Sequence, residues 1–529
     1  MVSQPAQTHG FSGALVRTAC GIDAWLEANR NLFLGVACAL CLLANIGYAH
    51  YRVLTADEYL QLTVARQPNI QAIWESLCAG VQVDPPVLDT AIHYMFRLFG
   101  ENLLLARLPS VMGFCLMCLC LSLIVWRYAG ALYGAAAFFM PFATSVRSWA
   151  SLMRPESLRL GFSALALLCW DRVQSADERH IWRWRIALIL SLAMSFSTHF
   201  FNITILFPLA LGELTKWRIR KRIDWPTIVC IAVGFIPWIV WSPILWSATH
   251  TFMAHSFPQP AFKTLYEFYG DLLYTLPWVG AMILILFAGA YLGRAEDGDA
   301  VAANPAGPTG DFRTLMVFCG ASLFLPFCGA LITAVRQGMY WPRMSLIAVF
   351  GLVVGLPLLL ALARSSRIVG LALLTTMAAN AAIITAQGAM RLGGRQEPYP
   401  ALADLRELIP EPHPDIVFVD NYDFGPFLEA NRDDPENSLL YLFDTQKQLA
   451  ARGSDTPDAA GTIMQGRTRA RIEPFDPYVA THSHFYLLSM VDIVAADEWQ
   501  FKYLLAQMHA RMTWLGNVGG WDLYRVDLK

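Results

Sequence analysis

A series of charge-poor apolar stretches, each roughly 17–25 residues long, constrains this chain more than any other feature. That is the length needed to cross a hydrocarbon core of about 30 Å. The candidate spans fall near 31–50, 106–126, 131–144, 157–171, 185–198, 200–215, 226–246, 272–292, 313–332, 344–363 and 367–388. Only 15% of the 529 residues are charged, against about 25% in an ordinary soluble domain, and the deficit is concentrated in these runs. The fold class is therefore a polytopic α-helical membrane protein of about eleven spans, with a more polar tail after about residue 390. A net charge of −2 offers no field for nucleic acid as a partner.

The eleven cysteines do not form a disulfide or metal framework. Cys38, Cys41, Cys115, Cys118, Cys120, Cys169, Cys230, Cys319 and Cys328 sit inside apolar runs, where a thiol packs as a small apolar group. The tail after Met390 has none.

Orientation follows from the basic connections. "DRVQSADERHIWRWR" (Asp171–Arg185) and "KWRIRKR" (Lys216–Arg222) are the two strong clusters, and Arg364 and Arg367 flank another short connection. A cytoplasmic N-terminus puts all three inside, provided that the apolar stretch from 186 to 214 is broken at "STHFFN" (Ser197–Asn202). One long helix with a buried polar patch is the alternative. With the break, the 51–105 loop, 143–156, the Ser197–Asn202 turn, the 247–271 loop, 335–344 and the tail share the outer face. The 294–312 loop, rich in Ala, Gly, Pro and Asp, reads as a flexible linker on the inner side.

In the first outer loop, "DEYLQLTVARQ" reads as one short helix and "DPPVLDTAIHYMFRLFG" as a second, starting near Asp84. Leu88, Ile92, Met95, Phe96 and Phe99 share one face of that second helix, with Asp89, His93 and Arg97 on the other. Such a helix is expected to lie in the membrane interface. In the tail, "DIVFVD" (415–420), "SLLYLFD" (438–444), "HFYLLSM" (484–490) and "WDLYRVDL" (521–528) read as strands, and 497–512 as a helix. These make a small α/β domain without a phosphate-binding glycine loop, so no nucleotide cofactor is expected.

Charges at membrane edges are costly and mark candidate sites. Each also has an ordinary explanation. Asp57 and Glu58 suit a helix N-terminus, Asp84 a cap, and Arg154, Glu156 and Arg159 an interfacial anchor. His199 suits a satisfied buried position, and Tyr340 and Trp341 an aromatic belt.

In order and spacing, however, the chain resembles the polyprenyl-phosphate-dependent glycosyltransferases of the GT-C superfamily, bacterial relatives of protein O-mannosyltransferase and lipid A aminoarabinose transferase. "ADEYLQL", "DPPVLDTAIHYMFRLFGENLLLARLPSVMGF", "LMRPESLRL", "STHFFNITILFPLAL" and "MYWPRMSLI" carry the resemblance, from about residue 31 to 390 and more loosely through the tail. It implies inverting transfer of a sugar from a polyprenyl-phosphate donor to an acceptor hydroxyl on the periplasmic face of the bacterial inner membrane. The acceptor is a glycolipid, polysaccharide or protein.

Asp57 matches the family's catalytic carboxylate position, the base that takes the acceptor proton, with Glu58 as companion. Arg154, Arg343, Arg107 and His199 are the implied donor-phosphate contacts, and Asp84, His93, Glu156 and Tyr340 the substrate-binding candidates. The domains that follow are a cytoplasmic segment (1–30), a transmembrane catalytic domain (31–389, with the first periplasmic loop at 51–105) and a periplasmic α/β domain (390–529). Family members often carry Lys or His where this chain has Asp84. A carboxylate there cannot hold a phosphate unless a divalent cation intervenes, and metal-dependent and metal-independent members are both known. "RPE" and "PRM" also depart from the family's R-x-Y and P-R-Y. The competing class is a multispan transporter or lipid flippase, for which a broken helix argues but the absence of any internal repeat does not. A non-catalytic scaffold leaves the clustering of Asp57, Arg154 and Arg343 on one face unexplained.

Overall fold

The computed structural model describes residues 11–175, 178–253, 262–273, 277–278, 280–282, 285, 310–336, 342–363, 366–393, 399–412, 414–418, 421–433, 439–452, 461–490 and 508–528. The chain divides into two compact units. One comprises Met1–Tyr51, Asn102–Val240 and Pro260–Leu392, the other Arg52–Glu101, Trp241–Gln259 and Gly393–Lys529.

Helices make up the first unit, which includes helix Trp225–Ser247 as far as Val240. Among the described residues, Arg30–Tyr51, Leu103–Ala129, Trp225–Ser247, Asp311–Ile332 and Arg367–Met390 are long and apolar enough to cross a membrane. Shorter helices occupy other expected spans, at Ala131–Phe139, Pro155–Ser175, Glu178–Thr198, Leu206–Arg220 and Ala348–Ala363. The expected span at 272–292 and the linker at 294–312 lie largely outside the described residues. A further helix, Phe11–Ala28, precedes the first span.

Helix Leu103–Ala129 packs against Pro155–Ser175, Ala131–Phe139, Arg30–Tyr51 and Ala348–Ala363. Its approach to Pro155–Ser175 is set by glycine on both sides. A Cβ on Gly113 would lie 2.4 Å from the Leu158 Cα, and one on Gly161 would lie 2.4 Å from the Gly113 carbonyl oxygen. Small residues let helix backbones meet where dispersion, rather than the hydrophobic effect, holds helices together.

The stretch from 186 to 214 is broken. Helix Glu178–Thr198 stops, His199 turns extended (φ −159°), and a 3-10 segment, Phe200–Ile205, leads into Leu206–Arg220. Asn202 makes the break affordable. Its Nδ2 donates to the Ser195 carbonyl at 2.6 Å and to Ser195 Oγ at 2.8 Å, occupying an oxygen that the stopped helix would leave poorly bonded. The single-helix alternative does not hold.

The second unit contains a six-stranded sheet in the order β3-β2-β1-β4-β6-β5. The strands are β1 Ile416–Phe418, β2 Leu439–Phe443, β3 Arg471–Pro474, β4 His484–Met490, β5 Arg511–Val518 and β6 Trp521–Asp527. β1 pairs in parallel with β2 and β4, and β2 with β3, while β6 runs antiparallel to β4 and β5. Buried runs such as Leu439–Leu442 suit strands covered on both faces. Burying each such side chain contributes about 1.5–3 kcal/mol.

Two expectations for the tail need correction. Strands β3 and β5 were not anticipated, because "RIEP" is short and half-exposed and β5 is mostly exposed, with no clean alternation of apolar and polar residues. The helix expected at 497–512 does not extend through its end, where Arg511 and Met512 begin β5 and pair with β6; residues 497–507 lie outside those described.

Residues 52–101 belong to this second unit and form three short helices, Ala56–Ala65, Ile70–Cys78 and Val87–Phe99. The last buries Leu88, Asp89, Ile92 and His93 and exposes Leu98 and Phe99. The buried face is thus shifted from the purely apolar one expected, because Asp89 and His93 find polar partners in helix Ala56–Ala65.

Candidate active site

In the second unit, the acidic pair opens helix Ala56–Ala65 and its two members are treated differently. Thr55 is the N-cap, and its Oγ1 accepts from the Glu58 amide at 3.4 Å. Glu58 Oε2 in turn accepts from the Thr55 amide at 3.1 Å and from Thr55 Oγ1 at 3.2 Å. This reciprocal capping box satisfies two N-terminal donors, and Glu58 is wholly buried. Asp57, one residue earlier, stays partly exposed, at the end of the helix whose dipole favours a carboxylate. Its backbone carbonyl accepts from Gln82 Nε2 at 3.0 Å.

Further down the helix, Gln61 Nε2 donates to Asp89 Oδ1 at 2.5 Å. His93 Nδ1 lies 3.0 Å from the Ala65 carbonyl. A carbonyl only accepts, so Nδ1 carries the proton in this pairing. Asp84 is buried but does not cap the helix expected to begin there, which starts at Val87 with Pro86 at the N-cap and no side-chain cap. Pro86 can occupy that place because the amide it lacks would have been unbonded anyway.

In the first unit, a cationic set gathers at the start of helix Pro155–Ser175. Arg154, Glu156 and Arg159 are all buried. Arg154 Nη2 lies 3.4 Å from Glu156 Oε1, and the Arg154 carbonyl accepts from Ser110 Oγ at 2.6 Å. Arg159 Nη2 donates to the carbonyl of Arg343, in the 3-10 segment Pro342–Ser345. His199 is buried within electrostatic range of Arg159, Arg154 and Arg343. Its Nδ1 accepts from the Phe201 amide at 3.3 Å, which leaves Nε2 to carry the proton in that pairing.

Sequence motifs more than 180 residues apart therefore build one cluster of three arginines and a histidine. Cations gathered and oriented by the protein suit a phosphate bearing negative charge. Arg107 is held differently. Its Nη1 donates to the Ala49 carbonyl at 2.7 Å, bonding one of the last carbonyls of helix Arg30–Tyr51, as cations at helix C-termini do. Tyr340 lies outside the described residues. Among the described residues, no group of three or more His, Cys, Asp or Glu side chains is arranged to hold a metal ion.

Some participants were missed from the sequence. Arg159 was read only as a possible anchor, although its place one helical turn past Pro155 was a signal. Arg66, Glu101, Glu429 and Arg432 gave none. Arg66 donates from Nη1 to Glu429 Oε2 at 2.6 Å and also pairs with Glu101, which accepts from Arg432 Nη1 at 2.6 Å.

Residues 83–241 match the family model described as dolichyl-phosphate-mannose-protein mannosyltransferase. Among solved structures, the chain is similar to the crystal structure of ArnT from Cupriavidus metallidurans bound to undecaprenyl phosphate, with TM-score 0.50 and 13% identity over 95% of this chain and 98% of that one. The apo crystal structure of the same protein gives TM-score 0.49 and 14% identity, covering 94% and 98%. A sequence search among curated proteins gives no significant match. At these identities the structural likeness speaks to the fold alone, and the family match covers residues 83–241, less than half of the chain. Together with the apolar helices, they agree with the resemblance read from the motifs and support a multi-pass membrane glycosyltransferase of the GT-C type.

Proposed function

We propose that this protein is an inverting glycosyltransferase that moves a sugar, hexosyl or pentosyl, from a polyprenyl-phosphate donor to an acceptor hydroxyl on a glycolipid, polysaccharide or protein. It acts on the periplasmic face of the bacterial inner membrane, with its N-terminus in the cytoplasm and its tail outside. The likeness to a fold that binds undecaprenyl phosphate in ArnT supports a lipid-carrier donor.

The acceptor oxygen attacks the anomeric carbon as its proton passes to the Asp57 carboxylate. The new C–O bond forms while the bond from that carbon to the carrier phosphate oxygen breaks, and the phosphate leaves with the electron pair. One base in hydrogen-bond reach is sufficient, since the leaving group needs no proton. Arg154, Arg159 and Arg343 with His199 stabilise the charge that grows on the departing phosphate. Glu58 supports Asp57 by holding the helix start, and His93 and Gln82 hold the same segment. Arg107 acts behind the phosphate contacts, and Asp84, Glu156 and Tyr340 remain substrate-side candidates.

The observation that carries this reading is the division of labour in the acidic pair. Glu58 is buried and spent on the capping box, while Asp57 is left partly exposed at a positive helix end. Asp57→Asn tests it, in a deletion strain complemented with either form and matched for membrane level. The variant should lose the envelope glycan modification that the wild type restores, read by mass analysis of glycolipids. Modification at the wild-type level would end the assignment of Asp57 as base. Arg154→Gln should weaken binding of undecaprenyl phosphate to the purified protein by about tenfold or more, as loss of one charge-assisted contact implies.

A further inference from the structure

Helix Ala56–Ala65 is anchored at its far end by residues of the tail. Arg66 is its C-cap, and the backbone amide of Arg66 donates to the Leu62 and Val64 carbonyls. The Arg66 side chain forks onto Glu429, with Nη1 to Oε2 at 2.6 Å and Nη2 to Oε1 at 2.5 Å. Glu429 lies at the end of helix Asn421–Ala430, more than 360 residues later in the chain. Glu101 and Arg432 extend the pairing on either side. Nearby, Gln67 Nε2 donates to the Arg467 carbonyl at 3.4 Å, and Arg469 Nη2 to the Leu428 carbonyl at 2.5 Å. The Tyr59 ring fills the space beside Gly425.

We propose that Glu429, acting through Arg66, is a positioning residue that lets the tail domain set the location of the Asp57 carboxylate. The inference rests on the reading of Asp57 as the acceptor base. Bidentate pairing fixes direction as well as distance, because the planar guanidinium fork matches a carboxylate only in one plane. At 1.5 Å per residue the helix is about 15 Å long, so a tilt of about 10° pivoting at Arg66 would swing Asp57 by roughly 2 Å. A misplacement of about 1 Å can cost a reaction on the order of 10²-fold. Neither Arg66 nor Glu429 need touch a substrate for this to matter.

The test compares Glu429→Gln with Glu429→Asp in the full-length protein. Hydrogen exchange over residues 56–66 should rise in Glu429→Gln, with exchange over 103–129 unchanged. At matched membrane level the glycan modification should fall about tenfold, with binding of undecaprenyl phosphate unaltered. Glu429→Asp, which keeps the charge, should retain most of the activity, and Arg66→Gln combined with Glu429→Gln should be no worse than the poorer single variant. Unchanged exchange over 56–66, or unchanged modification in Glu429→Gln while Asp57→Asn is inactive, overturns the proposal. Misfolding of Glu429→Gln, shown by faster exchange over 103–129 as well, also counts against a positioning role. Transfer that survives Asp57→Asn strikes the base assignment instead, so the two failures are told apart.

Discussion

Tyr59 occupies the space that a side chain at position 425 would need. A methyl group on Gly425 would fall 2.2 Å from Tyr59 Cδ1 and 2.7 Å from Cγ. Gly425 therefore sits inside helix Asn421–Ala430, where glycine is otherwise disfavoured, because the first loop and the tail close on one another there. Gly425→Ala is expected to destabilise this unit by roughly 1–3 kcal/mol, the range for overpacking a filled site. Thermal unfolding of the purified protein would show it, and adding Tyr59→Leu should recover part of the loss.

The capping box separates two roles for Glu58. A glutamine side chain can fill the same place at the third helical position. Glu58→Gln should therefore keep transfer close to wild type, whereas Thr55→Ala should cost about 1 kcal/mol of stability by removing the cap. Complete loss of the glycan modification in a well-folded Glu58→Gln protein would assign that carboxylate to the chemistry instead.

In the spanning unit, Gly113 and Gly161 sit at backbone contact, so bulk there has nowhere to go. Gly161→Leu should remove most folded protein from the membrane, since the nearest obstacle is a main-chain oxygen at 2.4 Å. Gly320→Ala is the control. Apart from its chain neighbours and its own helix backbone, nothing lies within 4 Å of the added methyl, and within a helix the change should be neutral or stabilising by up to about 1 kcal/mol. Membrane levels of the two variants measure the difference.

Acid should loosen the Arg66 cluster. Burial pushes the Glu101 carboxyl upward, but the guanidinium groups of Arg66 and Arg432 outweigh it and leave the group below its ordinary value. A carboxylate lowered on folding stabilises the folded state at pH above its unfolded value, near 4.3. That contribution disappears as pH falls through the lowered folded value. Exchange over residues 56–66 should accordingly rise below about pH 4, and Glu101→Gln should flatten that response while weakening the cluster at neutral pH.

Membrane character was legible because it depends on runs of adjacent residues, and local composition records those directly. Two of the three first-loop helices were legible too, through the periodicity of Leu88 and Ile92 and the acids at a helix start, whereas Ile70–Cys78 was not anticipated. Four tail strands, with all or part of each in the sheet, were visible as apolar runs. The break at His199 was inferred from basic connections and a polar hexapeptide, and Asn202 supplies the contact that stabilises it. β3 and β5 escaped notice because a short or largely exposed strand acquires its identity from its neighbours. Asp84 was misread as a cap because Asp before two prolines has the right chemistry, while the helix starts only at Val87, just before the buried Leu88 and Asp89.

What the sequence by itself determined is the class of molecule and the short motifs, since hydrophobic length, charge placement and local spacing are properties of contiguous chain. Only the tertiary structure decided which member of the acidic pair keeps access to solvent, because burial depends on what packs over Glu58. It also brought Arg159 to the Arg343 carbonyl and Glu429 to Arg66. Those pairings join residues 184 and 363 positions apart. Coulomb attraction and hydrogen bonding fall off with distance in space and are indifferent to distance along the chain.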